Sequence, residues 1–371
     1  MAAPLGMKNT RDDQIRTTAA GLTQAFQDAG ALPVETETLL PADVLLDLYG
    51  EDIRARAFTT YDPAQGERML RPDFTVPVVQ RHMAEGAEPA RYTYSGLVWR
   101  KRTGASEYTQ VGYELFDREN PAAADAEVFA LFHGLLAPQG LVAATGDMGL
   151  VRAAVDGLRT LPARRAALLR HLWRPARFLA LLHRYGGRAD PPPSRTHLLV
   201  EVGVKGIDAV IEEAGPSIGL RGADDIRARI DTLRAEATEP PISVEEVAMV
   251  EAVIALKGTT AEALAQVRAL AADFPGLRAA GERIEARMAA LDAAGVPAAS
   301  LPFEASFGRT TLEYYDGFVF GFFAEARPDI PIVASGGRYD ALTRVLGQGR
   351  SIAAVGGVIR PEALLEATQW S

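Results

Sequence analysis

Polar side chains at fixed spacing in a few short runs are where this sequence can do chemistry. In Leu70-Arg71-Pro72-Asp73-Phe74-Thr75 a carboxylate and a hydroxyl stand two residues apart. Such a pair can receive an ammonium group with its three donors, although the same residues after a proline also serve as a turn or a helix cap. Gln110, Gly112 and Glu114 occupy alternate positions of Tyr108–Phe116, so on a strand they share one face. If that face is buried, its polar groups need partners, because an unpaired one costs about 1–3 kcal/mol; a ligand would supply them. An outward, hydrated face is the competing reading. Arg100 is a bidentate donor suited to a carboxylate or phosphate, with Lys101 and Arg102 making a hydrated basic turn the alternative. Tyr314-Tyr315 offers apolar walls with polar tips that suit an imidazole, or plain core packing. Gly336-Gly337, ahead of Arg338-Tyr339-Asp340, permits close backbone approach or a positive φ, and equally an ordinary turn.

Elements to position these residues follow from the pattern around them. Ile15, Leu22 and Phe26 recur at helical spacing up to Gly30 and Pro33, and Val34–Leu40 reads as a strand or extended segment. Phe58–Tyr61 and Arg68–Leu70 flank the turn-rich Asp62-Pro63-Ala64-Gln65-Gly66, which predicts a hairpin. Val76–Met83 predicts a helix capped by Asp73 or Thr75. Tyr92–Arg100 and Tyr108–Phe116 alternate as two antiparallel strands. Ala122–Leu136 reads as a helix, Gly140–Ala144 as a short strand, and Asp147 as the cap of a helix from Leu150. After Leu161 the chain turns rich in Ala, Leu, Arg and Glu, with one break at Pro191-Pro192-Pro193. Strand-like runs return at Ala305–Phe307, Glu313–Phe323, Ile332–Ala334 and Ile352–Val358. The expected organisation is therefore a mixed α/β, α+β chain in three parts: residues 1–160, a mostly helical inserted region 161–298, and residues 299–371 completing the first part's sheet.

Composition narrows the function. Across 371 residues, 48% are apolar and 23% charged, the balance of a globular protein. The net charge of −9 lacks the basic footprint of a nucleic-acid binder. With no cysteine, disulfides, thiolate catalysis and cysteine-ligated zinc are excluded. The five histidines show no metal-ligand spacing, so no metal site is expected. No spanning segment or basic-then-apolar leader is visible, which predicts a cytoplasmic location.

Taken together and in order, the Arg-Pro-Asp-x-Thr segment, the Gln-x-Gly-x-Glu hairpin strand, Tyr314-Tyr315 and Gly336-Gly337-Arg338-Tyr339-Asp340 resemble the class II core of histidyl-tRNA synthetase. The resemblance covers roughly 21–145 and 306–365. It implies an antiparallel sheet flanked by helices and a histidine pocket. In that pocket Asp73, Thr75 and Gln110 hold the amino group, Glu114, Tyr314 and Tyr315 meet the imidazole, and Arg100 sits at the carboxylate side; Gly337 and Tyr339 complete the set.

Departures from the synthetase pattern fall on the nucleotide side. Arg102 stands where the synthetases carry an adenine-binding glutamate, and a guanidinium cannot accept the adenine amino group. Thr310 replaces an activating arginine, with Arg309 beside it as partial compensation. Ala363 takes the place of the arginine that clamps phosphate, and Pro361 is expected to disturb the entry to that helix. Phosphoryl and adenylyl transfer need such cations. No catalytic residue and no cofactor is expected, nor an anticodon-binding domain. Retention on one side with loss on the other resembles the regulatory subunits of short-form ATP phosphoribosyltransferase. That resemblance implies a non-catalytic, allosteric role in histidine biosynthesis, within a hetero-octamer of its own dimers and a catalytic subunit, the latter alone using Mg²⁺, with L-histidine as effector. Competing readings are a truncated enzyme adenylating histidine or another small acid, a tRNA-sensing module, and a scaffold with a vestigial pocket.

Overall fold

The computed structural model describes residues 5–49, 53–101, 105–216, 222–309 and 314–368. Its centre is a nine-stranded mixed sheet. In chain order the strands are β1 (Leu32–Pro33), β2 (Leu39–Pro41), β3 (Thr59–Asp62), β4 (Gly66–Leu70), β5 (Ala90–Trp99), β6 (Glu107–Phe116), β7 (Val142–Asp147), β8 (Lys257–Thr259), β9 (Pro302–Glu304), β10 (Phe318–Phe323), β11 (Ala334–Arg338) and β12 (Ala354–Ile359). The sheet runs β1-β5-β6-β12-β11-β10-β7-β9-β8, and β2-β4-β3 form a separate small sheet. Pairing is antiparallel except for β1 with β5 and β7 with β9. The C-terminal strands β10 to β12 thus enter between β6 and β7 and complete a sheet that begins at Leu32.

Alternation along each strand divides the sheet into two faces. On the reverse face Phe318, Phe320 and Phe322 of β10 pack with Phe129 and Phe132 of the helix Pro121–Leu136, in one core cluster with Val111, Tyr113 and Leu115 of β6. Phe129 is fully buried, and its truncation to Ala would cost roughly 3–5 kcal/mol. That helix starts where the sequence provides for it: Pro121 fills the first turn and the Asn120 side chain accepts from the Ala123 amide at 3.1 Å. On the front face lies the core shared with the helices Met148–Asp156, Pro175–Tyr185 and Val244–Ala255. Asp147 caps Met148–Asp156 by accepting from the Leu150 amide. Apart from β8, the described chain from Pro162 to Ala293 is helical or in turns.

An ion cluster pins the reverse face at the end of β11. Arg287, from the helix Arg278–Ala293, meets Asp147 at 2.5 Å and Asp125 at 3.2 Å. Arg338 meets Asp125 at 2.7 Å and Asp340 at 3.1 Å. Each cation here is matched by carboxylates, as buried charges require.

Several expectations are corrected. Val34–Leu40, read as a strand or extended segment, is not a continuous strand: it connects β1 to β2 and ends in the first residues of β2. Ala305–Phe307 lies in turns just past β9, because the parallel pairing ends at Phe303. β10 begins only at Phe318, so Tyr314 and Tyr315 precede the strand and do not alternate across it. β11 starts at Ala334, later than the sequence pattern indicated. Gly336-Gly337 forms no turn and sits inside β11, with no positive φ. Close approach is the reason for glycine: a Cβ on Gly336 would fall 2.5 Å from the Gly356 carbonyl oxygen, and one on Gly337 2.6 Å from that of Phe318. Pro361 does not disturb the last helix but opens it, Pro361–Thr368, at a position where proline fits. Among the described residues no helix is long and apolar enough to cross a membrane, and no cluster of three histidine, aspartate or glutamate side chains is placed to hold a metal ion.

Candidate functional site

Glu114 lies at the centre of the front face. β6 presents Gln110, Gly112 and Glu114 on that face, opposite Gly96, Tyr94 and Tyr92 of β5. Two glycines make room: a Cβ on Gly112 would sit 2.1 Å from the Tyr94 ring, and one on Gly356 of β12 1.6 Å from Glu114 Oε2. Three hydroxyls converge on the carboxylate. Thr75 Oγ1 and Tyr94 OH each donate to Oε1 at 2.9 Å, and Tyr339 OH donates to Oε2 at 2.6 Å. Burial pushes the Glu114 carboxyl up to about 7, while the hydroxyls of Tyr339, Tyr94 and Thr75 hold it back from rising further. Among the described residues it has no guanidinium or ammonium partner within ion-pair distance. Burial also raises the phenols of Tyr94 and Tyr339 well above their ordinary value, so both stay protonated donors.

The wall continues through the tyrosine pair. Tyr314 OH lies 3.4 Å from Thr75 Oγ1, its ring stands edge-on to those of Tyr315 at 4.8 Å and Tyr339 at 6.1 Å, and Tyr315 lies against Gly337. The N-cap of the helix Thr75–Glu85 is Phe74, not Asp73 or Thr75 as expected; Asp73, one residue earlier, accepts from the Val76 amide at 3.3 Å, while its second oxygen is 3.9 Å from Arg100. Arg100 donates to the Pro72 carbonyl at 2.7 Å. Gln110 is 1% exposed, and its Oε1 has no hydrogen-bond partner. A buried acceptor without a donor is costly.

The sequence-derived residues Asp73, Thr75, Glu114, Tyr314, Tyr315, Gly337 and Tyr339 are therefore assembled together, with Gln110 and Arg100 along the same face. Tyr94 was missed. The signal for it was Gly112: an empty position on a polar strand face calls for a cross-strand ring. Arg309 does not reach this cluster; it is 3% exposed, donates to the Leu172 carbonyl, and lies over the Phe178 ring at 4.6 Å. Ala363 is buried in the core behind the sheet, so no side chain at that position faces Glu114. The cation that does come to the front face from this segment is Arg360, which is engaged with the Ile332 carbonyl and Ser335 Oγ, both at 3.1 Å. Arg102, the loop at 103–104 and the segment 310–313 lie outside the described residues.

In chemical terms, an uncharged or half-charged acid ringed by hydroxyls can exchange hydrogen bonds with an N–H donor or accept a proton. Comparison with known proteins agrees in fold and sharpens the family. The family model of histidyl-tRNA synthetase matches residues 8–239 and 226–364. Solved structures of the same fold include an ATP phosphoribosyltransferase regulatory subunit/histidyl-tRNA synthetase from Bacillus halodurans (TM-score 0.67, 22% identity, 99% of this chain and 81% of that one) and histidyl-tRNA synthetase from Nostoc (0.61, 15%, 100% and 75%). Among curated proteins, the ATP phosphoribosyltransferase regulatory subunit of Mesorhizobium japonicum is 34% identical over 94% of this chain and 97% of its own length, and that of Brucella anthropi 33% identical over 87% and 89%. With a third of its residues shared along nearly its whole length, the chain belongs to the family of ATP phosphoribosyltransferase regulatory subunits.

Proposed function

We propose that this chain is the non-catalytic regulatory subunit of a short-form ATP phosphoribosyltransferase, acting at the first step of histidine biosynthesis, and that L-histidine binds at Glu114 as its effector. One observation carries the ligand assignment: the buried, partnerless Gln110 Oε1 on the same strand face as a Glu114 carboxyl that has only hydroxyl partners. An amino acid with a basic ring answers both. Its imidazole N–H donates to Glu114, its ammonium group to Gln110, Asp73 and Thr75, and its carboxylate faces Arg100. The tyrosine rings enclose the imidazole.

Lack of transferase or synthetase activity is supported by the front face itself, where Arg360 is committed to protein acceptors and Ala363 is turned into the core. The partner is a catalytic subunit, which this chain activates and through which histidine inhibits; dimers of this chain and of the partner make up a hetero-octamer in the cytoplasm. Histidine acts by binding one quaternary state better than another, since a ligand of equal affinity for both shifts nothing.

Two measurements test this. Calorimetric titration of L-histidine should show saturable binding to the isolated chain. Mixing with a short catalytic subunit should raise its transferase rate, and histidine should lower that rate again. No heat with or without the partner removes the effector role. Histidine-dependent pyrophosphate exchange by this chain alone would establish the synthetase-like enzyme instead.

A further inference from the structure

Arg309 is a buried cation with too few partners. It is 3% exposed, its Nε donates to the Leu172 carbonyl, and its Nη2 has no hydrogen-bond partner. No carboxylate pairs with it among the described residues. Burial pushes its guanidinium down to about 10. Other buried arginines of this chain show how the need is ordinarily met. Arg71 donates to the carbonyls of Leu97, Thr36 and Glu37, and Arg164 to those of Pro240, Glu236 and Glu239. Arg287 and Arg338 face carboxylates. An uncompensated buried charge is among the costliest features a fold can carry.

Beside Arg309 lies a cavity of about 470 Å³, bounded by β10, β11 and the helices Pro175–Tyr185 and Val244–Ala255. Leu179, Ile254, Phe307, Val319 and Ile332 give it apolar walls, and Ser335 a polar edge. Glu304, also in its wall, is already taken by Ser306 Oγ and by Lys257 at 3.2 Å. Tyr315 lines the side toward Glu114. The volume is that of a small-molecule site. One unused guanidinium nitrogen amid apolar walls suits a single negative charge, and a phosphate with its greater charge would be left short of donors.

We propose that this cavity is a second ligand site, distinct from the Glu114 cluster, which takes a small monocarboxylate with an apolar body and pairs its carboxylate with Arg309. The site stands on this packing and does not rest on the histidine assignment, although Tyr315 borders both.

Phenylacetate is a suitable probe, titrated into the full chain by calorimetry and by thermal unfolding. Saturable binding is expected, with a melting temperature that climbs with ligand concentration. Phenylacetamide, which lacks the charge, should bind at least tenfold more weakly, and inorganic phosphate should give no heat. Arg309→Met should abolish phenylacetate binding while leaving the melting temperature of the ligand-free protein unchanged or higher, because an apolar side chain then replaces an unpaired cation. Leu179→Trp, which fills the cavity and keeps Arg309, should also abolish binding, and it decides the matter if Arg309→Met does not fold. Absence of saturable phenylacetate binding, equal binding of the amide or of phosphate, or binding retained in Leu179→Trp would each overturn the proposal.

Discussion

Arg338 and Tyr339 are neighbours at the end of β11, yet they serve two opposite kinds of buried acid. Arg338 turns to the reverse face, where Asp125 and Asp147 meet guanidiniums within 3.2 Å. Tyr339 turns to the front face, where among the described residues Glu114 meets hydroxyls alone. In the first region each guanidinium meets carboxylates, Asp125 and Asp147 come from elements other than those of Arg287 and Arg338, and the product is a fixed framework. In the second the charge is left uncancelled, so the carboxyl is pushed up to about 7. Matched charge makes scaffold, and unmatched charge leaves capacity for a ligand.

Breaking the reverse-face cluster should have the largest effect. Arg287→Met leaves Asp147, 3% exposed, without its cation, while Asp125 keeps Arg338, which predicts a loss of about 3–5 kcal/mol in urea unfolding. A loss under about 1 kcal/mol would mean that the cluster is not what holds the helix Arg278–Ala293 to the sheet. The same class of change on the front face should act differently. Glu114→Gln keeps the shape and an acceptor for the hydroxyls, so below pH ~4.5, where the carboxyl is protonated in both states, its stability should move by less than about 1 kcal/mol. Its histidine affinity, measured by calorimetry, should fall by about 1.5–3 kcal/mol, the value of a hydrogen bond to a charged group. If Glu114→Gln unfolds the protein as readily as Arg287→Met, the contrast between the regions fails.

The contrast was partly legible in the sequence. The alternation of Gln110, Gly112 and Glu114 put the polar face on one side of β6, and proline followed by Asp73 fixed a helix start, because both rest on local geometry. Tyr94 was hidden because its role comes from register: it sits opposite Gly112, a relation set by the hairpin and not by its own neighbours. Tyr314 and Tyr315 were read as strand because aromatic residues favour strands, whereas β10 begins only at Phe318 and Tyr315 packs against Gly337. The ion cluster joins residues as far apart as Asp125 and Arg338, so no spacing rule announces it. Arg360, just ahead of the helix that Pro361 opens, was not singled out, because its contact with Ser335 of β11 comes from the pairing of β11 with β12.

The smallest effect should appear in the pH dependence of stability, where Glu114 and His82 pull in opposite directions. Glu114 has a folded value of about 7, above its ordinary carboxylate value. Its contribution to stability is therefore present below pH ~4.5 and is lost as pH rises through about 7. His82 is 1% exposed and stacked on Phe116 at 3.9 Å; burial, then the nearby Arg118, push it down to about 4. A depressed imidazole favours the neutral fold, so its contribution is present above pH ~6.5 and is lost as pH falls through about 4. Each group links one proton to unfolding, which limits either limb to a slope of about 1.4 kcal/mol per pH unit. The two windows overlap between pH ~4.5 and ~6.5, where the slopes offset, and urea unfolding of the variants across pH 4 to 8 uncovers each: Glu114→Gln should leave a stability that rises with pH from about 4 to ~6.5, and His82→Phe one that falls with pH from ~4.5 to about 7. A fall with rising pH that survives in Glu114→Gln would assign it to another acid, and the front face would then be no less balanced than the reverse.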